Sequence, residues 1–423
     1  MADRTSDIVD PSLAEAGRSR IDWAADFMPA LAAVSADPSA EVLRGRRVGV
    51  VLTLEPKTAN LALALHRSGA EVSVFCSGTH TSDDVAAALD RAGVATFARS
   101  DADAAVDQRL LDRFLDQRIE FLIDDGAATA RHMHTHRRDA LESLVGIAEE
   151  TTSGVRPLRV MADEGALAVP AIAVNDAACK QLFDNVYGTG QSVVMTLLDL
   201  TNTQLQGKLV VVVGYGYVGR GIADTAHALG ARVVVTEVDP VRALQALHDG
   251  YRVETLEAAS REGDVFFTAT GIGYSLTGDH IRSMKDGAMV AVGGAGPPEV
   301  SLDGGNPVVR GGFARSQVRV LQVASDREVH LIADGECCNV AAAEGNPIEI
   351  MDLSLAVQFR AVVYLAQHAA GMAPGVYPVP PEVDDQVARA VLGARGIEID
   401  VPTAAQISHA TNWNESIDEK EAN

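Results

Sequence analysis

The chain has 423 residues, with 35 Lys and Arg against 58 Asp and Glu, for a formal net charge of −23. That acidity excludes nucleic acid and anionic membrane surfaces as partners. The length exceeds one ordinary core, so roughly two or three domains are expected, and a hydrophobic content of 47 % is enough to fill them. No apolar run has the length of a membrane span and no charged-then-apolar leader opens the sequence, which makes a soluble cytoplasmic protein the expectation. Four cysteines, Cys76, Cys179, Cys337 and Cys338, form no C-x-x-C pair; reduced thiols and no structural zinc are expected.

In chain order, the polar start MADRTSDIVDPSLAEAGRSR (1–20) is expected to be loosely ordered over its first dozen residues. RVGVVLTL (47–54) reads as a strand before a helical NLALALHRSG (60–69), and EVSVFCSG (71–78) as a strand before DDVAAALDRAG (83–93). FLIDDG (121–126) is a further strand ending in acidic residues and glycine. Strands alternating with helices imply a parallel, doubly wound sheet, whose ligand crevice lies just past the strand C-terminal ends. Glu55, Lys57, Asp124 and Asp125 fall at such positions. His132, His134 and His136 form an H-x-H-x-H run without a carboxylate or thiol at ligand spacing, read as a solvated loop with no metal.

KLVVVVGYGYVGRG (208–221) carries the strongest signal. Five apolar residues precede Gly214, Gly216 and Gly219 in G-x-G-x-x-G spacing, with Tyr217 and Val218 opening the next helix. An apolar run of that length bounded by glycine is a buried parallel strand. The glycines let the backbone turn and approach a pyrophosphate at the helix N-terminus. A second strand, RVVVTEVDP (232–240), brings Glu237 to the position that binds a ribose 2′-hydroxyl. A carboxylate there repels a 2′-phosphate, so NAD is the expected cofactor; Arg242 nearby pulls weakly the other way. DVFFTATG (264–271) and GAMVAVGG (287–294) add strands, 347–369 is helical and apolar, and a Pro-rich stretch (374–385) precedes a short C-terminal unit. The expected fold class is α/β: two doubly wound parallel-sheet, Rossmann-like domains with a short C-terminal extension. A substrate domain spans 1–190 with return helices over 347–375, an NAD-binding Rossmann domain spans 191–346, and 376–423 form the extension. The active site is expected in the cleft between the two domains.

IAEETTSGV (147–155), VPAIAVNDAACKQLFDNVYG (169–188), GYGYVGRG (214–221), VTEVDP (235–240) and ALQALHDGYRV (243–253) together resemble the S-adenosylhomocysteine hydrolase family in order and spacing. The likeness runs from SRIDWAADFMPAL (19–31) to about Val401. The resemblance implies a redox-neutral reaction: a resident NAD oxidises a nucleoside 3′-hydroxyl to a ketone, a base removes the acidified C4′ proton, and the C5′ group leaves. Water then adds at C5′ and the stored hydride returns. It makes Lys180 and Asp184 the pair that handles the 3′-hydroxyl and the proton, Glu150 the grip on the ribose hydroxyls, and Asp125 an acidic group near C5′. Asn185, Thr151, Thr152, Ser153, Thr270 and Asn339 match cofactor contacts. A lysine beside a carboxylate and a cofactor is expected to have its pKa moved toward use as a base.

The departures are as informative. Three family histidines fall on Thr53, Ala295 and Asn346, and an acidic position falls on Ala128. Glu55, Lys57 and Glu344 alter the base-recognition side, where Met351 is also expected to touch substrate. The family's basic, aromatic C-terminal tail is replaced by NWNESIDEKEAN (412–423). The half that performs 3′-oxidation and C4′ deprotonation is intact, whereas the C5′ half is rebuilt. The expected activity is a nucleoside dehydratase giving a 4′,5′-unsaturated product, as in nucleoside-antibiotic tailoring, with Asp125 and His80 as candidate proton donors to hydroxide. The alternatives are a true adenosylhomocysteinase and a non-catalytic NAD- or nucleoside-binding regulator. A nucleoside substrate and a homo-oligomer, dimer or tetramer, complete the expectation.

Overall fold

The computed structural model describes residues 5–294, 296, 298–302 and 308–413; Ala295 lies outside the described residues. Two sheets organise the chain. The first has seven parallel strands in the spatial order Gly375–Pro378, Pro170–Ala173, Gly146–Glu149, Phe121–Asp124, Arg47–Val50, Glu71–Cys76, Ala95–Ala98. The central strands are buried on both faces, as helix-covered parallel sheets require. The order reverses between Arg47–Val50 and Phe121–Asp124, and a ligand crevice opens at such a switch point.

The second sheet has eight strands, with a parallel run Arg252–Val253, Arg232–Thr236, Leu209–Val213, Val265–Thr268, Ala288–Val292, Arg327–Ile332. All five residues of Leu209–Val213 are buried. At about 1.5–3 kcal/mol for each fully buried large apolar side chain, this strand anchors the second domain. The strand order reverses between Leu209–Val213 and Val265–Thr268, so the glycine loop and Thr270 share that crevice. Val318–Ala324 then pairs antiparallel with both Val309–Arg315 and Arg327–Ile332. That meander is absent from the sequence expectation, although alternation about Ser325 and Asp326 is a hairpin signal.

Three more expectations change. The Pro-rich stretch does not detach a C-terminal unit: Gly375–Pro378 pairs with Pro170–Ala173 at the first sheet's edge. The next helix, Pro381–Ala394, buries Val383 and Val387 in the same core. Near the start, Asp7 already pairs with Phe97 and a short helical turn, Pro11–Leu13, begins within the dozen residues expected to be loose. The three histidines lie at a helix rather than in a loop. His132 and His134 belong to Ala128–Thr135, and His136 follows it. The buried His134 ring meets the Ala130 carbonyl at 2.7 Å and accepts the Ala168 N–H at 3.0 Å, so its nitrogens are occupied by backbone. Among the described residues no cluster could hold a metal, and no helix is long and apolar enough to cross a membrane.

Candidate active site

The two crevices open onto one cavity of about 390 Å³, the size of a small-ligand site. From the first domain it is lined by Thr53, Glu55, Lys57, Asp125, Glu150, Thr151, Thr152 and Ser153. Lys180, Asp184 and Asn185 line it from the connection between the sheets, and Gly216, Tyr217, Val218, Arg242 and Thr270 from the second domain. Asn339, Asn346 and Met351 complete that part of the wall. The domains touch across it, where Arg156 Nη1 donates to the Gly271 carbonyl at 2.9 Å.

At its centre stands a buried ionic cluster. Residues 181–188 (Gln181–Gly188) form a π-helix, whose wider turn carries Asn185 to Lys180 as well as Asp184. Lys180 Nζ donates to Asn185 Oδ1 at 2.8 Å and lies 3.2 Å from Asp184 Oδ2 and 3.7 Å from Glu150 Oε1. Burial opposes the charge on Lys180, but Asp184 and Glu150 outweigh it and hold the ammonium above its ordinary pKa. This differs from the expectation of a lysine moved toward use as a base: two carboxylates contact the ammonium, and among the described residues no second cation does.

The return helix Ile348–His368 supplies two groups that sequence reasoning missed. Ser354 Oγ donates to Asp184 Oδ2 at 2.7 Å, and Gln358 Nε2 donates to Glu150 Oε2 at 2.6 Å. Their signal was present: polar residues one helical turn apart on a face that is otherwise apolar and fully buried. Glu150 Oε1 is buried without a hydrogen-bond partner. An orphaned carboxylate oxygen facing a cavity is an acceptor awaiting a donor, such as a sugar hydroxyl. Burial pushes Glu150 up to about 7 against the pull of Lys180. A hydrogen bond to a charged group contributes about 1.5–3 kcal/mol, so Ser354→Ala is expected to slow proton exchange on a bound nucleoside about tenfold or more. NMR of deuterium uptake checks this.

Adjacent strands Phe121–Asp124 and Gly146–Glu149 are in register at Asp124 and Glu149, so each ends in a pair of acidic residues. Asp124 and Glu149 turn back onto the main chain: Asp124 accepts the Ala130 and Asp125 N–H groups, and Glu149 those of Gly126, Ala127 and Thr151. Asp125 and Glu150 face the cavity. Burial drives Asp124 up to about 7 and also raises Asp125.

The departures from the family pattern resolve differently. Asn346 uses its whole amide on protein: Nδ2 donates to Asp184 at 2.5 Å and to Thr189 at 3.1 Å, while Oδ1 accepts from Ser192 and Asn339. It is built to orient Asp184 rather than to reach a ligand. Glu344 does not line the cavity with its side chain, which bonds Arg20; only its carbonyl faces inward, accepting Lys57 Nζ at 2.7 Å. Lys57 also pairs with Glu55 at 3.0 Å, and both are buried. His80 does not line the cavity either, because the turn Gly78–His80 commits its carbonyl to Leu54 and points its ring at Ser77, 3.5 Å away.

The nucleotide loop passes a fit test for a dinucleotide. Gly214 has φ +96°, a left-handed conformation that favours glycine. At Gly216 a side chain would meet only the Arg242 guanidinium, 3.7 Å away, so the backbone is open to a phosphate. At Gly219 a Cβ would drive into the Gly214 carbonyl, which is close helix–strand packing. The helix Tyr217–Ala228 has no side-chain cap, leaving its first N–H groups for an anion. Glu237 is locked by the N–H groups of Tyr215, Val238 and Asp239. Gly219→Ala is expected to lower NAD affinity about tenfold or more and to lower Tm, since overpacking costs about 1–3 kcal/mol. Cofactor titration and a thermal melt measure both.

A glycine loop of this kind opposite a buried Lys–Asp–Glu cluster defines an NAD-binding two-domain α/β protein. Residues 5–141 match the family model described as S-adenosyl-L-homocysteine hydrolase, and residues 185–345 match that family's NAD binding domain. An S-inosyl-L-homocysteine hydrolase of Methanopyrus kandleri is 44% identical over 418 residues, covering 96% of this chain and 97% of the relative. Adenosylhomocysteinases of Thermotoga maritima and Thermococcus kodakarensis are 42% and 41% identical, covering 94% and 96% of this chain and 99% and 97% of theirs. The chain belongs to the S-adenosyl-L-homocysteine hydrolase family, and its cofactor is NAD.

Proposed function

We propose that the protein is a nucleoside dehydratase, removing water from a 5′-hydroxy nucleoside to leave a 4′,5′ double bond. One observation carries this reading: among the described residues no histidine lines the cavity, while the Lys180–Asp184–Glu150 cluster and Asp125 do. Asparagine at 346 and threonine at 53 offer no acid or base near neutral pH, so the C5′ side of the cavity relies on carboxylates. The groups suited to the first half of the reaction are present.

Gly214, Gly216 and Gly219, the N-terminus of the helix that follows, Glu237 and Arg242 would hold the dinucleotide, with Thr151, Thr152, Ser153, Asn185, Thr270 and Asn339 along its path. Bound NAD supplies reversible hydride removal at C3′, which makes a ketone and brings the C4′ proton within reach of a side-chain base. Glu150 Oε1 accepts a ribose hydroxyl. As the 3′-hydroxyl is oxidised its proton passes to Asp184, held by Ser354 and Asn346; with that charge gone Lys180 releases its own proton to solvent, and the freed amine receives the proton from C4′. The C4′ electron pair forms the double bond, the C5′–O bond breaks, and Asp125 protonates the leaving oxygen so that water departs. With the hydride that bound NAD would give back, the Asp184 proton returns to the 3′-oxygen and Asp125 regains its proton from solvent, so that the sum is substrate to alkene plus water. Lys57, Glu55 and Met351 line the end that would take the base.

The names of these relatives favour a second reading, hydrolysis of a homocysteine thioether of a nucleoside. The NAD-loaded protein is offered a 5′-hydroxy nucleoside and, separately, S-adenosyl- and S-inosylhomocysteine. A product lighter by one water from the first supports the dehydratase; release of homocysteine thiol with no such product refutes it.

A further inference from the structure

Asp124 and Glu149, both buried, and the half-buried Asp125 form a group of three carboxylates at the ends of two adjacent strands. Their hydrogen-bond donors are unequally shared. Glu149 Oε1 accepts the N–H groups of Gly126 at 2.9 Å and Thr151 at 3.1 Å, and the Thr151 hydroxyl at 3.0 Å; Oε2 accepts the Ala127 N–H at 3.0 Å. Every one of these contacts donates to Glu149, a setting built for a carboxylate, since a protonated acid needs an acceptor for its own O–H; burial and the charges of Asp124 and Asp125 push Glu149 well up, and these donors oppose that push. Asp124 likewise accepts the Ala130 N–H at 2.8 Å and the Asp125 N–H at 3.1 Å. Among the described residues no main-chain N–H is directed at the Asp125 carboxyl; its neighbouring donor is the Thr151 hydroxyl, whose one proton is engaged with Glu149.

We propose that Glu149 is a positioning residue: held as an anion by three main-chain N–H groups and the Thr151 hydroxyl, it keeps the proton of the group on Asp125, ready for the leaving oxygen. This rests on the dehydratase reading for its use, although the location of the proton is a property of the protein alone. The other groups facing Asp125 divide. Lys180 and His80 favour its ionised form and Asp184 opposes it, while the Asp125 charge in turn raises Asp124, Glu150, Glu149 and the Cys337 thiol. Burial adds to the second side. The proton on Asp125 is therefore a balance that one fixed anion tips.

An acid catalyst works only while protonated, so elimination falls as pH rises through the Asp125 titration. In Glu149→Gln that descending limb is expected about one unit or more lower in pH, while C4′ deuterium exchange below the limb persists. A role confined to stability lowers both activities without moving the limb. An unmoved limb with normal exchange overturns the proposal and leaves the dehydratase reading intact. Infrared spectroscopy of NAD-loaded protein without nucleoside tests the same claim independently of turnover. Near neutral pH the C=O stretch of a neutral carboxylic acid is expected to weaken in Asp125→Asn; a band unchanged there but lost in Glu149→Gln places the proton on Glu149 and refutes the assignment.

Discussion

Alanine at Lys180 is expected to reduce deuterium uptake at C4′ of a bound nucleoside by about a hundredfold to ten-thousandfold, the usual contribution of a positioned acid–base group. The expectation follows from placement: Lys180 is the cation contacting both Asp184 and Glu150, with all three side chains at most 8% exposed. Removing one partner of a buried ion pair costs about 3–5 kcal/mol, so destabilisation must be separated from lost chemistry. Asp184 keeps Ser354 and Asn346, and Glu150 keeps Gln358, which preserves donors for both carboxylates. NAD binding by titration is expected to survive in Lys180→Ala. Retained NAD with undiminished C4′ exchange would remove Lys180 from the mechanism.

Asp125→Asn is expected to separate the two halves of the reaction. Asparagine has nearly the same shape but no proton to give, so loss of the C5′ group should fall about a hundredfold to ten-thousandfold. Exchange at C4′ precedes that step and draws on Lys180 and Asp184, so it should remain within about threefold of the unmodified protein. Product mass and deuterium content from one incubation report both. Equal loss of both would mean that Asp125 acts before C5′ departs, contrary to the proposed sequence. The pH dependence has a matching sign: Glu150, raised by burial to about 7, gains its acceptor charge as pH rises through that value, whereas Asp125 loses its proton as pH rises. A bell-shaped profile is the expected combination.

Much of this was legible from the sequence because it is local. The apolar run and its glycines specify a strand, a tight turn and an uncapped helix without reference to distant residues, and Lys180, Asp184 and Asn185 sit within one short helical segment. What escaped depends on distant pairing. Gly375–Pro378 reads as a Pro-rich linker until Pro170–Ala173 offers it a sheet edge. Ser354 and Gln358 are ordinary helix residues until the return helix lays them against Asp184 and Glu150. Glu344 and Asn346 stand in a matching segment, yet one side chain turns outward to Arg20 and the other is consumed by Asp184. The charge state of Lys180 likewise depends on a carboxylate thirty residues earlier in the chain, Glu150.

The central claim is that this chain, with NAD bound, makes the C4′ hydrogen of a nucleoside exchangeable. Incubation of the NAD-loaded protein with an adenosine-type nucleoside in deuterated water, followed by NMR of the recovered nucleoside, tests it most directly. Deuterium at C4′, absent with Lys180→Ala, is the predicted result. Conversion of nucleoside with C4′ still fully protonated in what remains, at long incubation and at every pH tried, would contradict it.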